Sequence, residues 1–489
     1  MKKWLIAAMA LLALAPCAYA QPLAEIPLLD PSAVLPEVSG ALEILLDGQP
    51  LPCDPETRIC LIPEGTDHTA LLEIAPQPGW QYTIEPTQTG CTVNGYRETE
   101  CLAAELIETP LPVLSLTTSD GELPTEADIR GGIDIYTGGY GGIHRESSLI
   151  EINLRGNTSK RFPKQSYRVK MIHENGEKRN ISLAGLRSDD DWILNPMYAD
   201  TSKIREKLAY ELWDMMNSSG QYAASSRLEY AEIYLNGRYW GLYGVQERID
   251  RKQVGGDKRS GVLYKVFAND RPTADELLSC ESDVLCRGIE LEFSGGSIQR
   301  PWEPAAAYMA MLDGEKSLIR ASVDAENAAD YGLWAMLAQA HDCHFKNQFL
   351  NCVYNGGGHT IYKIPWDLNN TFGDVWENDA EATNFTEFRI ASLVMDGSFE
   401  LLIESGDEAF ARLVQQRWQQ LRDGVIDEDA LIRRAQELHL AIYPAIERDT
   451  LRWPQCGMGE GNAANILDIE EYIRTNIARI DEYTAQLTQ

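Results

Sequence analysis

The stretch His341-Asp342-Cys343-His344-Phe345-Lys346-Asn347 is followed, a short apolar run later, by Ile364-Pro365-Trp366-Asp367-Leu368-Asn369-Asn370-Thr371-Phe372-Gly373-Asp374. The first segment sets an Asp five positions before an Asn. The second closes an apolar strand on an Asp and runs into a Gly. Phosphoryl transfer uses these parts: one carboxylate takes the hydroxyl proton, while an amide oxygen and a second carboxylate hold Mg²⁺ against nucleotide phosphates. Alone, Asp342 reads better as a helix cap, and Asn347 could be a turn residue. Their joint spacing, with Asp367 downstream, favours a site. No G-x-S-x-G elbow is present to support a Ser-His-Asp hydrolase. A glycosidase carboxylate pair leaves the companion Asn unexplained.

The rest of the chain must supply a phosphate cradle. Leu154-Arg155-Gly156-Asn157-Thr158-Ser159-Lys160-Arg161-Phe162-Pro163-Lys164-Gln165-Ser166-Tyr167-Arg168-Val169-Lys170 offers one: a strand entering Gly156, a hydroxyl-rich turn, and a second strand from Gln165. Backbone amides around Gly156 and Ser159 can cover phosphates, and the cluster is strongly basic within an acidic chain. A solvated basic hairpin is the plainer alternative. The earlier run Thr137-Gly138-Gly139-Tyr140-Gly141-Gly142 lacks the Lys and Ser/Thr of a P-loop and reads as a solvent hairpin. Residues 202–217 read as a helix with Ser202 as N-cap, and Glu206 or Glu211 could pair with a strand lysine. Asn236-Gly237 between two apolar strands is a type I′ hairpin signal. The segment after it, Gln246 to Asp250, occupies the place of a hinge.

At 489 residues, 44% hydrophobic and 24% charged, the chain has room for several domains and a large core. A net charge of −31 disfavours binding to nucleic acid or to an anionic membrane. Lys2 and Lys3, the apolar run Trp4–Leu14 and Ala18-Tyr19-Ala20 form a secretory leader cleaved near Ala20/Gln21. The expected location is secreted or extracytoplasmic, with no transmembrane segment. Export makes Cys53–Cys60, Cys91–Cys101, Cys280–Cys286 and Cys343–Cys352 candidate local bridges, with Cys456 left over. A zinc site is disfavoured, because no C-x-x-C pair occurs.

In these motifs the chain resembles the spore-coat protein H (CotH) kinase family of secreted or surface proteins. The carrying segments are Arg155–Ser159 through Phe162–Tyr167, Asp191–Leu194 with Asp200–Arg205, Asn236–Tyr243, Asp342–Asn347 and Pro365–Gly373, spread over roughly residues 111–485. The resemblance implies an α+β fold: a two-lobed, atypical protein-kinase-like body with a β-rich N-lobe and a helical C-lobe; before it, short apolar runs alternating with turn residues over 40–108 read as a small disulfide-stapled β module. The corresponding division is a signal peptide at 1–20, a linker at 21–39, the β module at 40–108 and the kinase-like domain at 109–489. Within that domain the N-lobe is about 109–268, an insertion about 269–300 and the C-lobe about 301–489.

The resemblance also implies ATP- and Mg²⁺- (or Mn²⁺-) dependent phosphorylation of protein Ser or Thr; the chain itself is expected to be a monomer. Asp342 is then the catalytic base, and Asp367 and Asn347 are metal ligands. Asn369 stands where the family often has a second Asp, with Asp374 able to compensate. Arg155 and Lys164 are the expected phosphate-side cations, with Lys170 competing for the lysine role. The rival from another class is a non-catalytic adhesin or a structural coat or cell-envelope protein that keeps the fold.

Overall fold

Period-two patterning builds the first half of the chain. In Ser166–Ile172 the side chains of Tyr167, Val169 and Met171 are buried, while Arg168 and Lys170 alternate to the outside. The computed structural model describes residues 43–487 apart from 47, 65–71, 76–77, 99, 140–141, 157, 315–321, 344, 374–397 and 456–465. The leader, Asp374 and Cys456 lie outside the described residues.

Strands Ile44–Leu46 (β1), Gln49–Pro50 (β2) and Leu72–Ile74 (β4) form one small sheet. Ile59–Pro63 (β3), Gln81–Pro86 (β5), Gly90–Arg97 (β6) and Glu100–Thr109 (β7) form a second, in the order β3-β7-β6-β5. Seven strands then close a barrel. They are Val113–Thr118 (β8), Ile129–Gly139 (β9), Gly142–Arg155 (β10), Ser166–Ile172 (β11), Asp191–Asn195 (β14), Leu228–Leu235 (β15) and Arg238–Glu247 (β16). Ile181–Ser182 (β12) and Ser188–Asp189 (β13) make a short hairpin between β11 and β14. Closure leaves the barrel no open edge. Asn236 and Gly237 both take positive φ, +50° and +76°, as the type I′ reading requires.

The polypeptide then alternates helices with one open sheet. Arg205–Met216 (α1) precedes β15. Val262–Val266 (β17), Leu285–Cys286 (β18), Ile289–Ser294 (β19), Gln348–Tyr354 (β20) and His359–Pro365 (β21) pair in the order β18-β19-β17-β20-β21. Around it pack Ala274–Leu278 (α2), Glu303–Leu312 (α3), Ala325–Ala338 (α4), Ser398–Glu404 (α5), Glu408–Gly424 (α6), Glu428–Arg452 (α7) and Ile466–Gln486 (α8). The molecule is thus mixed α+β, with β structure concentrated early and helices late. Among the described residues, no helix is long and apolar enough to cross a membrane.

One apolar core fills the barrel, around Ile150, Val169, Trp192 and Tyr243. A larger one joins α1, α4 and the C-terminal helices to the open sheet. The third core is shared: Leu61, Ile62, Val93 and Leu106 of the leading sheets pack with Val113, Tyr136, Tyr234 and Tyr239 of the barrel. Tyr234 Oη also donates to Ile59 O at 3.0 Å, and Asp54 Oδ2 accepts from Tyr239 N at 3.0 Å.

Several local expectations are corrected. Helix α1 starts at Arg205 with no side-chain bond from its N-cap Ile204, so Ser202 does not cap it. Asp200 does that work, its Oδ2 accepting from Arg205 N at 2.9 Å. The Cys53–Cys60 bridge is present, but Cys91, Cys280, Cys286, Cys343 and Cys352 are free thiols. Register explains two of these. Cys91 lies opposite Leu106, and Cys101 opposite Tyr96, five positions along the same hairpin. Cys343 Sγ meets Trp366 O at 3.6 Å, beside the Gln348–Pro365 end of the β20–β21 ladder, whereas Cys352 sits opposite Ile361. At the strand rise of roughly 3.4 Å per residue, four positions separate that end from Cys352 by about 13 Å, far beyond disulfide reach.

Candidate active site

The hairpin of β20 and β21 brings the two halves of the central motif together. Gln348 is paired with Pro365, so the residues just outside the ladder, Asn347 and Trp366, face each other, and Trp366 N donates to Asn347 O at 2.9 Å. Asp367 follows at once. Asn347 and Asp367 both adopt left-handed backbone, with φ of +56° and +60°. Asn and Asp tolerate that region better than other non-glycine residues, and such conformations gather at functional sites. The loop is fixed from behind: Phe372 N donates to Ala338 O at 2.7 Å at the end of α4. Gly373 (φ +87°) lies so close to Tyr472 that a Cβ would stand 1.9 Å from its ring.

Asp342 sits in a 3₁₀ turn, His341–Cys343, directly after α4. Its Oδ2 accepts from Asn347 Nδ2 at 2.9 Å, and its Oδ1 pairs with Lys346 Nζ at 2.7 Å. The amide nitrogen of Asn347 is therefore turned toward Asp342, leaving its carbonyl oxygen for a cation. Asp367 is exposed to the cleft but enclosed by protein on its other sides. Burial raises its carboxyl pKa; Arg155, Lys265 and Lys346 pull it down and Asp342 pushes it further up.

The roof comes from the barrel. β10 ends at Arg155 and turns at Gly156, whose φ is +100° and whose Cβ, if it had one, would stand 2.0 Å from Ser159 Oγ. Only glycine fits that approach. The 3₁₀ turn Thr158–Arg161 follows. Two cavities that share Arg155, Gly156, Phe267, Asn347 and Asp367 lie beneath it. The larger, of about 530 Å³, extends between Arg168, Arg248, Glu292, Phe349 and Trp366. The smaller, of about 190 Å³, holds Ser159, Glu206, Asp342, Lys346, Asn369 and Asn370.

Among the described residues neither helix glutamate pairs with a strand lysine: Asn195 and Gln246 hold Glu206, while Lys207 of the same helix and Arg434 hold Glu211. Glu211 turns away to Arg434, at 2.8 Å from each of two guanidinium nitrogens. Glu206 is buried beside the cleft, accepting from Asn195 Nδ2 at 2.6 Å and Gln246 Nε2 at 3.2 Å. Burial, with the charge of Asp367 second, pushes its pKa up to about 7. Gln246 also donates to Tyr210 Oη at 3.0 Å, and that hydroxyl accepts from Asp367 N at 3.3 Å. A hydrogen-bonded path thus ties α1 to the Asp367 loop.

Of the residues singled out in the sequence, Arg155, Gly156, Ser159, Asp342, Asn347, Asp367 and Asn369 line one cavity. Lys164 and Lys170 do not, and both are corrected as phosphate cations. Lys164 is completely buried; its Nζ lies 2.7 Å from Asp449 Oδ1 of α7, donates to Leu242 O at 2.5 Å, and faces the Tyr243 ring at 4.6 Å. Lys170 stands on the outer face of β11, opposite Glu151, and pairs with Asp128 at 3.2 Å. Sequence reasoning passed over Lys346, Tyr210 and Lys265. The lone charged side chain in the apolar run Val262-Leu263-Tyr264-Lys265-Val266 was the available signal for the last.

The donor set suits a hard cation. Asp367 offers a carboxylate and Asn347 a carbonyl oxygen, with no sulfur or imidazole ligand between them. Among the described residues, no group of three or more His, Cys, Asp or Glu side chains is placed to hold a metal. Such a site suits an ion that takes its remaining ligands from phosphate and water, as Mg²⁺ does. Asn369 donates its Nδ2 to Asn370 Oδ1 at 3.0 Å.

No curated protein matches the chain. The family described as CotH kinase protein matches residues 152–480, a span containing the barrel strands from the end of β10 onward, the open sheet, the Asp342 turn and the Asp367 loop. That match covers most of the chain: it belongs to the CotH kinase protein family.

Proposed function

We propose that this chain is an exported protein kinase that transfers the γ-phosphoryl group of ATP to a Ser or Thr hydroxyl of an extracellular or envelope protein. The observation that carries this reading is the convergence of Asp342, Asn347 and Asp367 with Arg155 and the Gly156–Ser159 turn on one cavity. In this reading the barrel is the β-rich N-lobe, and the sheet and helices after the Gln246–Asp250 hinge are the C-lobe. The division at 109 follows from the resemblance, with residues 40–108 as a mount packed on the barrel. The Cys53–Cys60 bridge is consistent with export.

The geometry supports the following roles. Asp342 accepts the proton of the acceptor hydroxyl. Its carboxylate is held in place by Asn347 Nδ2 and by Lys346, which also sets a positive charge beside the transferred group. Asp367 and the Asn347 carbonyl oxygen would hold Mg²⁺ or Mn²⁺, with Asn369 lining the same cavity. When bound, the metal neutralises charge on the β- and γ-phosphates. Arg155 and the backbone amides of Gly156 and Ser159 would cover the phosphates. Glu206, through Gln246 and Tyr210, positions the Asp367 loop.

The experiment is calorimetric titration with ATP in the presence and absence of Mg²⁺, on wild type and Asp367→Ala. Wild type should bind ATP more tightly with Mg²⁺, and the variant should lose that increment. Metal-independent binding in wild type would show that Asp367 is not a metal ligand.

A further inference from the structure

Cations near the cleft fall into two sets. Arg168 and Arg248 are both held by Asp191, Lys346 by Asp342, and Lys164 by Asp449. Arg155 and Lys265 differ: their backbones are in strand ladders, but neither side chain makes a hydrogen bond or an ion pair with a described residue. Both line the larger cavity. Arg155 ends β10 of the barrel, and Lys265 stands on β17 of the open sheet, opposite Phe349 on β20 and Glu290 on β19. The Lys265 ammonium lies 5.6 Å from the centre of the Trp366 ring, whose residue directly precedes Asp367.

The electrostatics agree. Burial lowers the pKa of Lys265, and Arg155 is the next cause, so the two positive groups act on one another across the cavity. Glu292 and Glu290 attract Lys265, and Asp367 attracts Arg155, but neither cation is bonded to a carboxylate, so both half-buried charges remain available to an anion in the cavity.

Resting on the kinase reading above, we propose that Lys265 is a phosphate-binding residue of the nucleotide site, opposing Arg155 so that the α- and β-phosphates are gripped between barrel and sheet. This supplies from the open sheet the lysine that the sequence led us to expect at Lys164 or Lys170. Trp366 then guides the ammonium without neutralising it.

The test compares Mg-ATP and adenosine, each titrated calorimetrically into wild type, Lys265→Met and Lys265→Arg. A charged hydrogen bond to phosphate predicts that Lys265→Met weakens Mg-ATP binding by roughly ten- to a hundredfold. Adenosine affinity should be unchanged, and Lys265→Arg should recover most of the loss. Unchanged Mg-ATP affinity in Lys265→Met overturns the proposal, as does an equal loss for adenosine. Failure of wild type to bind Mg-ATP at all defeats the underlying kinase reading instead, and is seen separately.

Discussion

Replacing Lys164 with Met separates a structural lysine from a phosphate-binding one. Met keeps most of the side-chain volume and its contact with the Tyr243 ring, so little cavity is created. The charge is what disappears. Asp449, fully buried, loses its 2.7 Å partner but keeps Lys203 at 3.5 Å and the Leu242 N–H at 3.0 Å. Leu242 O loses the Lys164 donor. Breaking a buried ion pair from one side costs about 3–5 kcal/mol. The residual partners of Asp449 place this case at the lower end, about 3 kcal/mol, still a large share of a total stability of roughly 5–15 kcal/mol. Urea unfolding followed by circular dichroism measures the loss, and calorimetry at low urea measures Mg-ATP affinity of the folded variant. The expected outcome is a lower unfolding midpoint with unchanged affinity. A wild-type midpoint with lost affinity would refute the assignment and return Lys164 to the cleft.

Two further outcomes follow from burial. Glu206 is pushed up to about 7 in the fold from 4.5, so between those values the folded chain keeps a proton that the unfolded chain has lost. Stability due to this residue is therefore unaffected below 4.5, falls as pH rises to 7 by up to about 3 kcal/mol, and is level above. In chelator, wild type should lose more stability than Glu206→Gln between pH 4.5 and 8; parallel curves would contradict the placement. Cys343 and Cys352, at 3% and 0% exposure, should resist iodoacetamide in the folded protein and both react in urea without reductant. A mass two hydrogens lighter, with no labelling, would show them bridged.

Much of the site was legible because its spacing is local. The Asp342–Asn347 interval and the Trp366-Asp367 pair sit at the two ends of one hairpin, so short-range pattern sufficed. Asn236-Gly237 likewise announced its turn, since few sequences accept two consecutive positive φ angles. What failed depended on long-range partners. Strand alternation showed that Lys170 lies opposite in face to Val169, but not that its face is the outside of a closed barrel away from the cleft. Nothing near Lys164 foretold Asp449, which arrives on α7. Cysteines close in sequence looked paired, yet ladder register carried Cys91 and Cys101 apart along one hairpin. Lys265 showed in the sequence only as a lone charge in an apolar strand; the cavity it shares with Arg155, on a different sheet, depends on long-range folding.

The central claim is that Asp342 serves chemistry while Asp367 serves metal-nucleotide binding. The direct measurement is transfer of label from γ-³²P-ATP with Mg²⁺ to a casein-like or basic protein, by wild type and by Asp342→Ala, with Mg-ATP affinity measured on both. Wild type should incorporate label. The variant should be slower by about 10²–10⁴, the usual contribution of a positioned base, at nearly unchanged affinity. Equal transfer by the two proteins, or none by a wild type that binds Mg-ATP, would contradict it.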